Sequence, residues 1–307
     1  MITPLPLKQG DKIGIIAPSR KVTCEDLIEA VKLIGQWGYK VEFGDSIYDQ
    51  HFQFAGKDED RAEDFIRMIK NPGIKAILCA RGGYGTVRLL ENLDHKLIKA
   101  NPKWIIGYSD ITVLHSYLNQ VIGFETIHAA MPINLILGST VNDSWQKLYH
   151  VLSGGMVDYK FPAFALNRIG KATGMIVGGN LSVLFSLRGT FCDLETDGRI
   201  LFLEDLDEYL YHIDRMMMNL KISGKLKSLK GLVIGGMTAM KDNTVPFGKS
   251  AYEIIADAVS DYNYPVAFNF PAGHCDPNLP LILGRNVILE VKEDIVKLDF
   301  YDGNISK

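Results

Sequence analysis

Short apolar runs alternate with amphipathic segments along the first 120 residues. The apolar runs predict strands, and segments whose apolar residues recur at helical spacing predict helices. The predicted strands are DKIGIIAPS, YKVEFGD, IKAILCA and KWIIGY, and the predicted helices are CEDLIEAVKLIGQWG, DEDRAEDFIRMIKN, GTVRLLENL and DITVLHSYLNQ. Each strand is followed by a helix, which is typical of a parallel sheet covered by helices.

The pattern weakens between residues 154 and 171, where glycines and a proline interrupt it. Beyond this stretch the chain predicts strands in ATGMIVGGN, RILFLEDLDE, LKGLVIGGM and PVAFNFPAGH, helices in LSVLFSLRG and YLYHIDRMMMNLKISG, and an alternating, antiparallel tail. A chain of 307 residues also exceeds the size at which one core usually stops growing. We therefore expect an N-terminal α/β domain at 1–153, a linker at 154–171 and a C-terminal domain at 172–307.

Composition and charge narrow the class of protein. Hydrophobic residues make up 47% of the chain and the net charge is -3, so the sequence is that of an ordinary globular protein without the basic surplus expected for nucleic-acid or membrane partners. The four cysteines are widely spaced, and neither a signal peptide nor a membrane-length apolar run is visible. We expect a cytoplasmic protein with free thiols. No H-E-x-x-H or other clear ligand spacing indicates a metal, and no cofactor is expected.

Ser109 stands at a strand-turn-helix corner in IIGYSDITVLH. At such a corner a serine hydroxyl projects from the sheet edge, and the following helix offers free N–H groups to developing negative charge, as acyl transfer requires. Ser and Asp before a helix are also good N-caps, and local sequence alone favours the cap. The G-x-S-x-G of α/β-hydrolases is absent, because Ile111 replaces its second glycine.

A nucleophilic serine needs a base, an acid that orients the base, and donors for the oxyanion. His274 lies in a Pro/Gly-rich loop after a predicted buried strand. Glu204 ends the apolar run ILFLE, although it could equally belong to the acidic N-terminus of a helix. Gly82 and Gly83 in ARGGYG would let backbone N–H groups approach a ligand. A nucleotide-binding loop is the weaker interpretation, since the third glycine of G-x-G-x-x-G and a Walker lysine are missing.

Several separate segments resemble the LD-carboxypeptidase family of serine peptidases, which includes muramoyltetrapeptide carboxypeptidases and microcin C immunity peptidases. The resemblance runs nearly end to end, with GIIAPS, ARGGYG, IIGYSDIT, GMIVGGNLSVLFSLRGT, LFLEDLDEYLYHIDRMMMNL and FPAGHCDPNLPLILG in the family's order. It implies an N-terminal α/β domain that carries the serine, a C-terminal domain with a β-rich core that carries the acid and histidine, an active site at their interface, and a homodimer.

The resemblance also implies roles for individual residues. Ser109 matches the nucleophile, Glu204 the acid and His274 the general base of a Ser-Glu-His triad. The backbone amide of Asp110, with one from Gly82 or Gly83, would form the oxyanion hole, and no metal would be needed.

The murein-recycling members of the family release the terminal D-alanine from an L,D-linked tetrapeptide, so the expected partner is a murein peptide. Arg81 is a candidate for the substrate carboxylate, although it could form a surface salt bridge. Tyr84 could line the cleft or simply pack.

Three alternatives remain open. A microcin C immunity peptidase is the nearest, but the short segment before Glu204 has no tryptophan, which favours the murein substrate. A non-catalytic α/β binding protein would use the same cleft. A cysteine hydrolase based on Cys275 or Cys79 is less favoured, because neither cysteine lies at a corner like that of Ser109.

Overall fold

The computed structural model describes residues 1–135 and 142–301, which divide into two units. Unit 1 is Met1–Gly155 with Leu279–Ile282, and unit 2 is Met156–Asn278 with the chain from Leu283 onward. The division at Gly155 falls within the predicted 154–171 linker. The predicted linker also contains regular structure, because residues 158–162 form a strand and the next strand begins at Gly170.

A six-stranded sheet forms the centre of unit 1. Its strands β1 to β5 run parallel, as predicted from the strand-helix alternation, in the order β2, β1, β3, β4, β5. The elements are β1 (Lys12–Ile16), α1 (Ile28–Gln36), β2 (Lys40–Phe43), α2 (Asp58–Lys70), β3 (Ile74–Cys79), α3 (His95–Ala100), β4 (Trp104–Gly107), α4 (Thr112–Tyr117), β5 (Thr126–His128) and α5 (Asp143–Leu152).

The central strands of this sheet are apolar on both faces, as strands covered by helices on each side must be. All four residues of β4 are buried, and β3 is buried except at one position. The amphipathic helix α2 turns Phe65, Met68 and Ile69 inward. The parallel-sheet α/β architecture predicted for the N-terminal half is therefore confirmed.

Two helices of unit 1 differ in type from the prediction. The segment predicted as a helix after the glycine loop is a 3-10 helix, Thr86–Asn92. The segment after β4 begins as a 3-10 turn at Ser109–Ile111, continues as α4 and ends in a π-helical turn, Leu118–Ile122. Such departures from α geometry are common at helix ends and at functional sites.

A seven-stranded mixed sheet forms the centre of unit 2. Its elements are β6 (Asp158–Pro162), β7 (Gly170–Asn180), α6 (Leu181–Ser186), β8 (Ile200–Leu206), α7 (Leu210–Ile222), β9 (Gly231–Thr238), α8 (Ala251–Ala258), β10 (Val266–Ala267), β12 (Asn286–Val291) and β13 (Ile295–Tyr301). Strands β7 to β10 are parallel, whereas β12, β13 and β6 are joined antiparallel to the edge of β7. The β-rich core expected for the C-terminal domain is confirmed.

The short strand β11 (Leu281–Leu283) lies at the edge of the first sheet, beside β5. The sequence assigns all residues after 171 to the C-terminal domain, whereas Leu279–Ile282 belong to unit 1. Pairing between strands 150 residues apart depends on tertiary structure, which local patterns do not encode. Among the helices of the described ranges, none has an apolar stretch of the length that a bilayer requires.

Candidate active site

Ser109 lies in a strained turn at the carboxyl end of β4. Its φ is 63°, in the left-handed region that residues other than glycine seldom adopt. The residue before it, Tyr108, is extended, and a 3-10 turn follows directly. Strain of this kind is concentrated at functional sites, where surrounding structure maintains it. The half-buried serine therefore has the backbone of a nucleophile corner.

The capping interpretation of this corner is not supported. Neither the 3-10 turn nor α4 has a side-chain capping hydrogen bond at its N-terminus. The Asp110 carboxylate instead accepts two hydrogen bonds from Thr86, one from the backbone N at 2.9 Å and one from Oγ1 at 2.7 Å. Asp110 thus joins the Ser109 turn to the 3-10 helix that follows the glycine loop. Burial raises the pKa of this carboxyl, against the opposing effect of the Thr86 bonds.

The glycine loop approaches Ser109 closely at Gly82. A Cβ built on Gly82 would lie 3.1 Å from Ser109 Oγ and 3.3 Å from the backbone N of Asp110. The Asp110 N–H is in the first turn of its helix, where no intrahelical acceptor exists for it. The structure thus brings together Ser109, Asp110 and Gly82, which the sequence predicts as nucleophile and oxyanion donors. Gly83 faces Arg20 instead.

A buried histidine contacts the end of β4, next to the Ser109 turn. His115 of α4 is fully buried, and its Nε2 lies 2.9 Å from the carbonyl oxygen of Gly107, the last residue of β4. Burial lowers the pKa of this imidazole to about 4, so the ring is neutral at physiological pH and donates to the carbonyl. The sequence gives no sign of this role, since the ring lies within an ordinary helix.

Glu204 and His274 form a buried hydrogen bond in unit 2. Glu204 is fully buried in β8, and its Oε2 accepts hydrogen bonds from His274 Nδ1 at 2.7 Å and from the His274 backbone N at 3.1 Å. Burial alone would lower the pKa of His274, but the hydrogen bond to Glu204 and its charge outweigh burial and raise it. Because Nδ1 donates to the carboxylate, Nε2 of the neutral ring is left as the basic nitrogen.

The loop after β10 holds His274 against β8. Thr238 Oγ1 donates to the carbonyl oxygen of His274 at 2.7 Å, and the Gly273 N–H donates to Asn278 Oδ1 at 2.8 Å. A Cβ on Gly273 would lie 2.5 Å from Glu204 Oε2, so this position has no room for a side chain. Only two residues of the segment PVAFNFPAGH, which is predicted as a strand, form one in the structure. The rest of the segment is an irregular loop whose contacts orient the imidazole.

Asp205 is a second buried carboxyl beside Glu204, in the acidic run EDLDE. It lies in β8 at 1% exposure and accepts hydrogen bonds from Asn180 Nδ2 and from the N and Oγ of Ser182. Burial, reinforced by the charge of Glu204, raises the pKa of Asp205 to about 7. Because strands end and side chains turn inward according to tertiary packing, the run EDLDE does not reveal which acids are buried.

The two residues predicted to contact substrate have other neighbours in unit 1. Arg81 Nη1 donates to the carbonyl oxygen of Lys21 at 3.2 Å. The Tyr84 ring is 46% exposed and lies 6.1 Å from the ring of Phe54. Ser109 and the Glu204–His274 pair belong to different units, and a single triad formed from all three stays a prediction.

Cys275 and Cys79 have the properties of unreactive thiols. Burial raises the pKa of Cys275 to about 11 and raises the pKa of Cys79 still further. A thiol needs a lowered pKa to act as a nucleophile at neutral pH, so these shifts count against a cysteine hydrolase. Within residues 1–135 and 142–301, His, Cys, Asp and Glu side chains form no group of three that could hold a metal ion.

Comparisons with known proteins agree across both units. Family models described as the LD-carboxypeptidase N-terminal and C-terminal domains match residues 13–129 and 173–289. A probable murein peptide carboxypeptidase of Bacillus subtilis is 34% identical over 298 residues, covering 94% of this chain and 92% of the relative. The crystal structure of muramoyltetrapeptide carboxypeptidase from Oxalobacter formigenes has a TM-score of 0.86 at 29% identity, covering 95% of this chain and 99% of that one.

The microcin C7 self-immunity protein MccF of Escherichia coli is also similar, at 27% identity over 93% of this chain and 92% of the relative. The N-terminal model includes Ser109, and the C-terminal model includes Glu204 and His274. The chain belongs to the LD-carboxypeptidase family of peptidases.

Proposed function

We propose that this protein is a serine carboxypeptidase that releases the terminal D-alanine from L,D-linked murein tetrapeptides during peptidoglycan recycling. The observation that carries the proposal is the buried hydrogen bond from His274 Nδ1 to Glu204 Oε2, because it creates an oriented base in a chain that also contains a strained serine corner. The names of the Bacillus and Oxalobacter relatives support the murein substrate. A cytoplasmic location and a homodimer stay predictions.

In the proposed mechanism, His274 Nε2 accepts the hydroxyl proton of Ser109 as Oγ attacks the carbonyl carbon of the scissile bond. Glu204 holds the imidazole in the required tautomer and stabilises the imidazolium. The oxyanion is received by the N–H of Asp110 and by a donor of the glycine loop at Gly82. His274 then gives its proton to the departing amine of D-alanine, and an acyl-enzyme on Ser109 remains.

Hydrolysis of the acyl-enzyme repeats these steps with water. His274 removes a proton from the water that attacks the ester carbonyl, and returns it to Ser109 Oγ as the tripeptide carboxylic acid is released. The mechanism requires the nucleophile of unit 1 and the base of unit 2 to meet at one substrate. The hydrogen bond and charge of Glu204 raise the pKa of His274, which makes the neutral imidazole a stronger base for this exchange.

The test measures D-alanine release from a murein tetrapeptide by the wild type and by Ser109→Ala, His274→Ala and Glu204→Gln variants. We expect Ser109→Ala and His274→Ala each to lower kcat by at least about 10³-fold, and both together to cost little more, because triad residues act as a unit. Ser116→Ala is the matched control, since Ser116 is buried in α4 and its hydroxyl has no hydrogen-bond partner in the described part of the chain. A wild-type protein that releases no D-alanine would contradict the proposal.

A microcin C immunity peptidase is the second candidate, because MccF is similar to nearly the whole chain. The same assay distinguishes it when an aminoacyl sulfamoyl adenosine is included beside the muropeptide. Cleavage of the adenylate analogue alone would favour the immunity function. A non-catalytic binding protein would bind muropeptide equally well as wild type and as Ser109→Ala, and would convert none of it.

A further inference from the structure

Two hydrogen bonds join the segment after β1 to the start of the glycine loop. The buried Ser19 Oγ donates to the carbonyl oxygen of Arg81 at 3.0 Å, and Arg81 Nη1 donates to the carbonyl oxygen of Lys21 at 3.2 Å. Arg20 lies between the two joined residues of its segment. The position of Arg20 relative to the loop is therefore fixed by contacts on both sides of it.

The side chain of Arg20 lies across Gly83. A Cβ built on Gly83 would be 2.5 Å from Cδ of Arg20 and 2.8 Å from Nε. Gly83 is adjacent to Gly82, which contacts Ser109, and consecutive Cα atoms are about 3.8 Å apart. Arg20 thus lies beside the residue that directly follows Gly82 in the glycine loop. Consistent with this placement, its charge lowers the pKa of Asp110.

The other cations near this loop are already occupied. Arg61 is buried and bonded to Asp58 and the carbonyl oxygen of Pro18. Arg88 forms an ion pair with Asp58 at 2.6 Å. Arg81, as described above, donates to a backbone carbonyl. Each of these side chains has a structural partner that an incoming anion would have to displace.

Arg20 differs from these residues. It is exposed, and in the described ranges its side chain takes part in no hydrogen bond or ion pair. The nearby carboxylate of Asp110 is buried and already accepts both bonds from Thr86. A planar guanidinium with five donors, held beside a nucleophile and not paired by the protein, is suited to bind a carboxylate through two parallel hydrogen bonds.

We propose that Arg20 binds the C-terminal carboxylate of the substrate and so restricts cleavage to the last residue of the peptide. This inference rests on the proposed function, because it assumes attack by Ser109 on the bond before a free terminal amino acid. In the released amino acid the carboxylate is separated from the scissile nitrogen by a single carbon. The cation that recognises it must therefore lie near Ser109, and Arg20 lies beside the residue that follows Gly82, where its charge acts on Asp110.

The experiment compares hydrolysis of a murein tetrapeptide with that of its C-terminal amide, which lacks the negative charge. We expect the wild type to prefer the acid strongly. Arg20→Ala should lower kcat/KM for the acid by about 10- to 100-fold, the range expected when a hydrogen-bonded charge pair is lost, and should change the amide by less than about 3-fold. Most of the effect should appear in KM. Arg20→Lys should keep part of the preference for the acid, because the lysine ammonium still provides a positive charge.

Arg81→Ala is the matched control on the same loop. It should lower activity on acid and amide alike, because it releases the joined segments without removing the carboxylate ligand. The inference is overturned if Arg20→Ala keeps the wild-type preference for the acid, or if Arg81→Ala alone abolishes that preference. Thermal unfolding of each variant separates these effects from loss of folding.

The failure of this inference is distinguishable from failure of the proposed function. A wild-type protein that releases no D-alanine removes both. A wild type that prefers the acid, with an Arg20→Ala variant that prefers it equally, removes only the role of Arg20. Titration of the tetrapeptide acid into the Ser109→Ala and Ser109→Ala/Arg20→Ala proteins gives a second readout, and we expect binding to weaken about 10-fold or more when Arg20 is absent.

Discussion

At the scale of single residues, Gly82 is the position where one methyl group tests the site most directly. A Cβ there would crowd Ser109 Oγ at 3.1 Å and the backbone N of Asp110 at 3.3 Å. A backbone N does not move as a side-chain tip does, so we expect the added group to displace the loop from the proposed oxyanion position. We expect Gly82→Ala to lower kcat by about 10²-fold, as the loss of an oxyanion donor does.

Gly35→Ala provides the control for this substitution, because a Cβ on Gly35 in α1 meets no atom within 4 Å. It should leave activity unchanged and stabilise the protein by about 0.5–1 kcal/mol through helix propensity. Steady-state kinetics and thermal unfolding of both variants are the measurements. Full activity of Gly82→Ala would show that the loop takes no part in catalysis.

We expect His274, as the proposed base, to determine how activity depends on pH. Only the neutral imidazole can act as a base, and the hydrogen bond to Glu204 with its charge raises its pKa above the ordinary 6.5. Activity should therefore be lost as pH falls through this raised value, with kcat/KM rising toward higher pH. Glu204→Gln removes the negative charge and leaves burial, which lowers the pKa, so the acidic limb of the pH profile should move to lower pH while kcat falls. Profiles from pH 5 to 9 measure both, and a limb that stays in place would contradict the argument.

At the scale of elements, the sequence predicts what periodicity encodes. The strands DKIGIIAPS, IKAILCA and KWIIGY appear as β1, β3 and β4, because fully buried parallel strands are continuous apolar runs. The alternating tail appears as β12 and β13, each buried at every second position. The positions of Glu204 and His274 at the ends of predicted strands also make them candidates for the acid and the base, and the structure joins them at 2.7 Å.

Other elements were missed for different physical reasons. Helix α8, for which no helix is predicted, carries a readable signal, since Ser250 and Glu253 form a capping box at its start. Strand β5 has three residues, which is too short for a period to be visible. The position of Arg20 could not be predicted at all, because it depends on hydrogen bonds between residues 60 or more positions apart.

The loop that carries His274 depends on its contact with β8, and Gly273 is the point of closest approach. Its φ is 100°, and a Cβ would lie 2.5 Å from Glu204 Oε2 and 2.6 Å from Glu204 Cγ. We expect Gly273→Ala to displace the loop, break the bond between Glu204 and His274, and lower kcat by about 10²-fold or more. The strained backbone and the overlap together should destabilise the protein by about 2–4 kcal/mol.

Gly248→Ala separates these two effects. Its φ of 85° imposes similar backbone strain, but a Cβ there meets no atom within 4 Å. Gly248→Ala should lower the free energy of unfolding by only about 1–2 kcal/mol and keep full activity. Denaturant unfolding and kinetics of the pair are the measurements. Equal losses in both variants would mean that strain alone, and not the contact with Glu204, limits position 273.

At the scale of the whole molecule, each unit contains one buried titratable group, and the two groups make stability change with pH in opposite directions. In unit 1, burial lowers the pKa of His115 to about 4 from 6.5. Between these values the unfolded chain binds more protons than the folded one, so this group makes stability rise with pH. In unit 2, burial and Glu204 raise the pKa of Asp205 to about 7 from 3.8. Here the folded chain binds more protons, so stability falls as pH rises.

The two slopes overlap between pH 4 and 6.5 and partly cancel in the whole chain, each being at most about 1.4 kcal/mol per pH unit. His115→Gln removes the rising contribution and keeps a donor for the Gly107 carbonyl, whereas Asp205→Asn removes the falling one and keeps an acceptor. We therefore expect the slope of unfolding free energy against pH to become more negative in His115→Gln and more positive in Asp205→Asn. Urea unfolding at pH 4.5, 5.5 and 6.5, with hydrogen exchange followed separately in peptides of each unit, measures the change. Slopes that move in the same direction in both variants would show that these two groups do not determine the acid response of the protein.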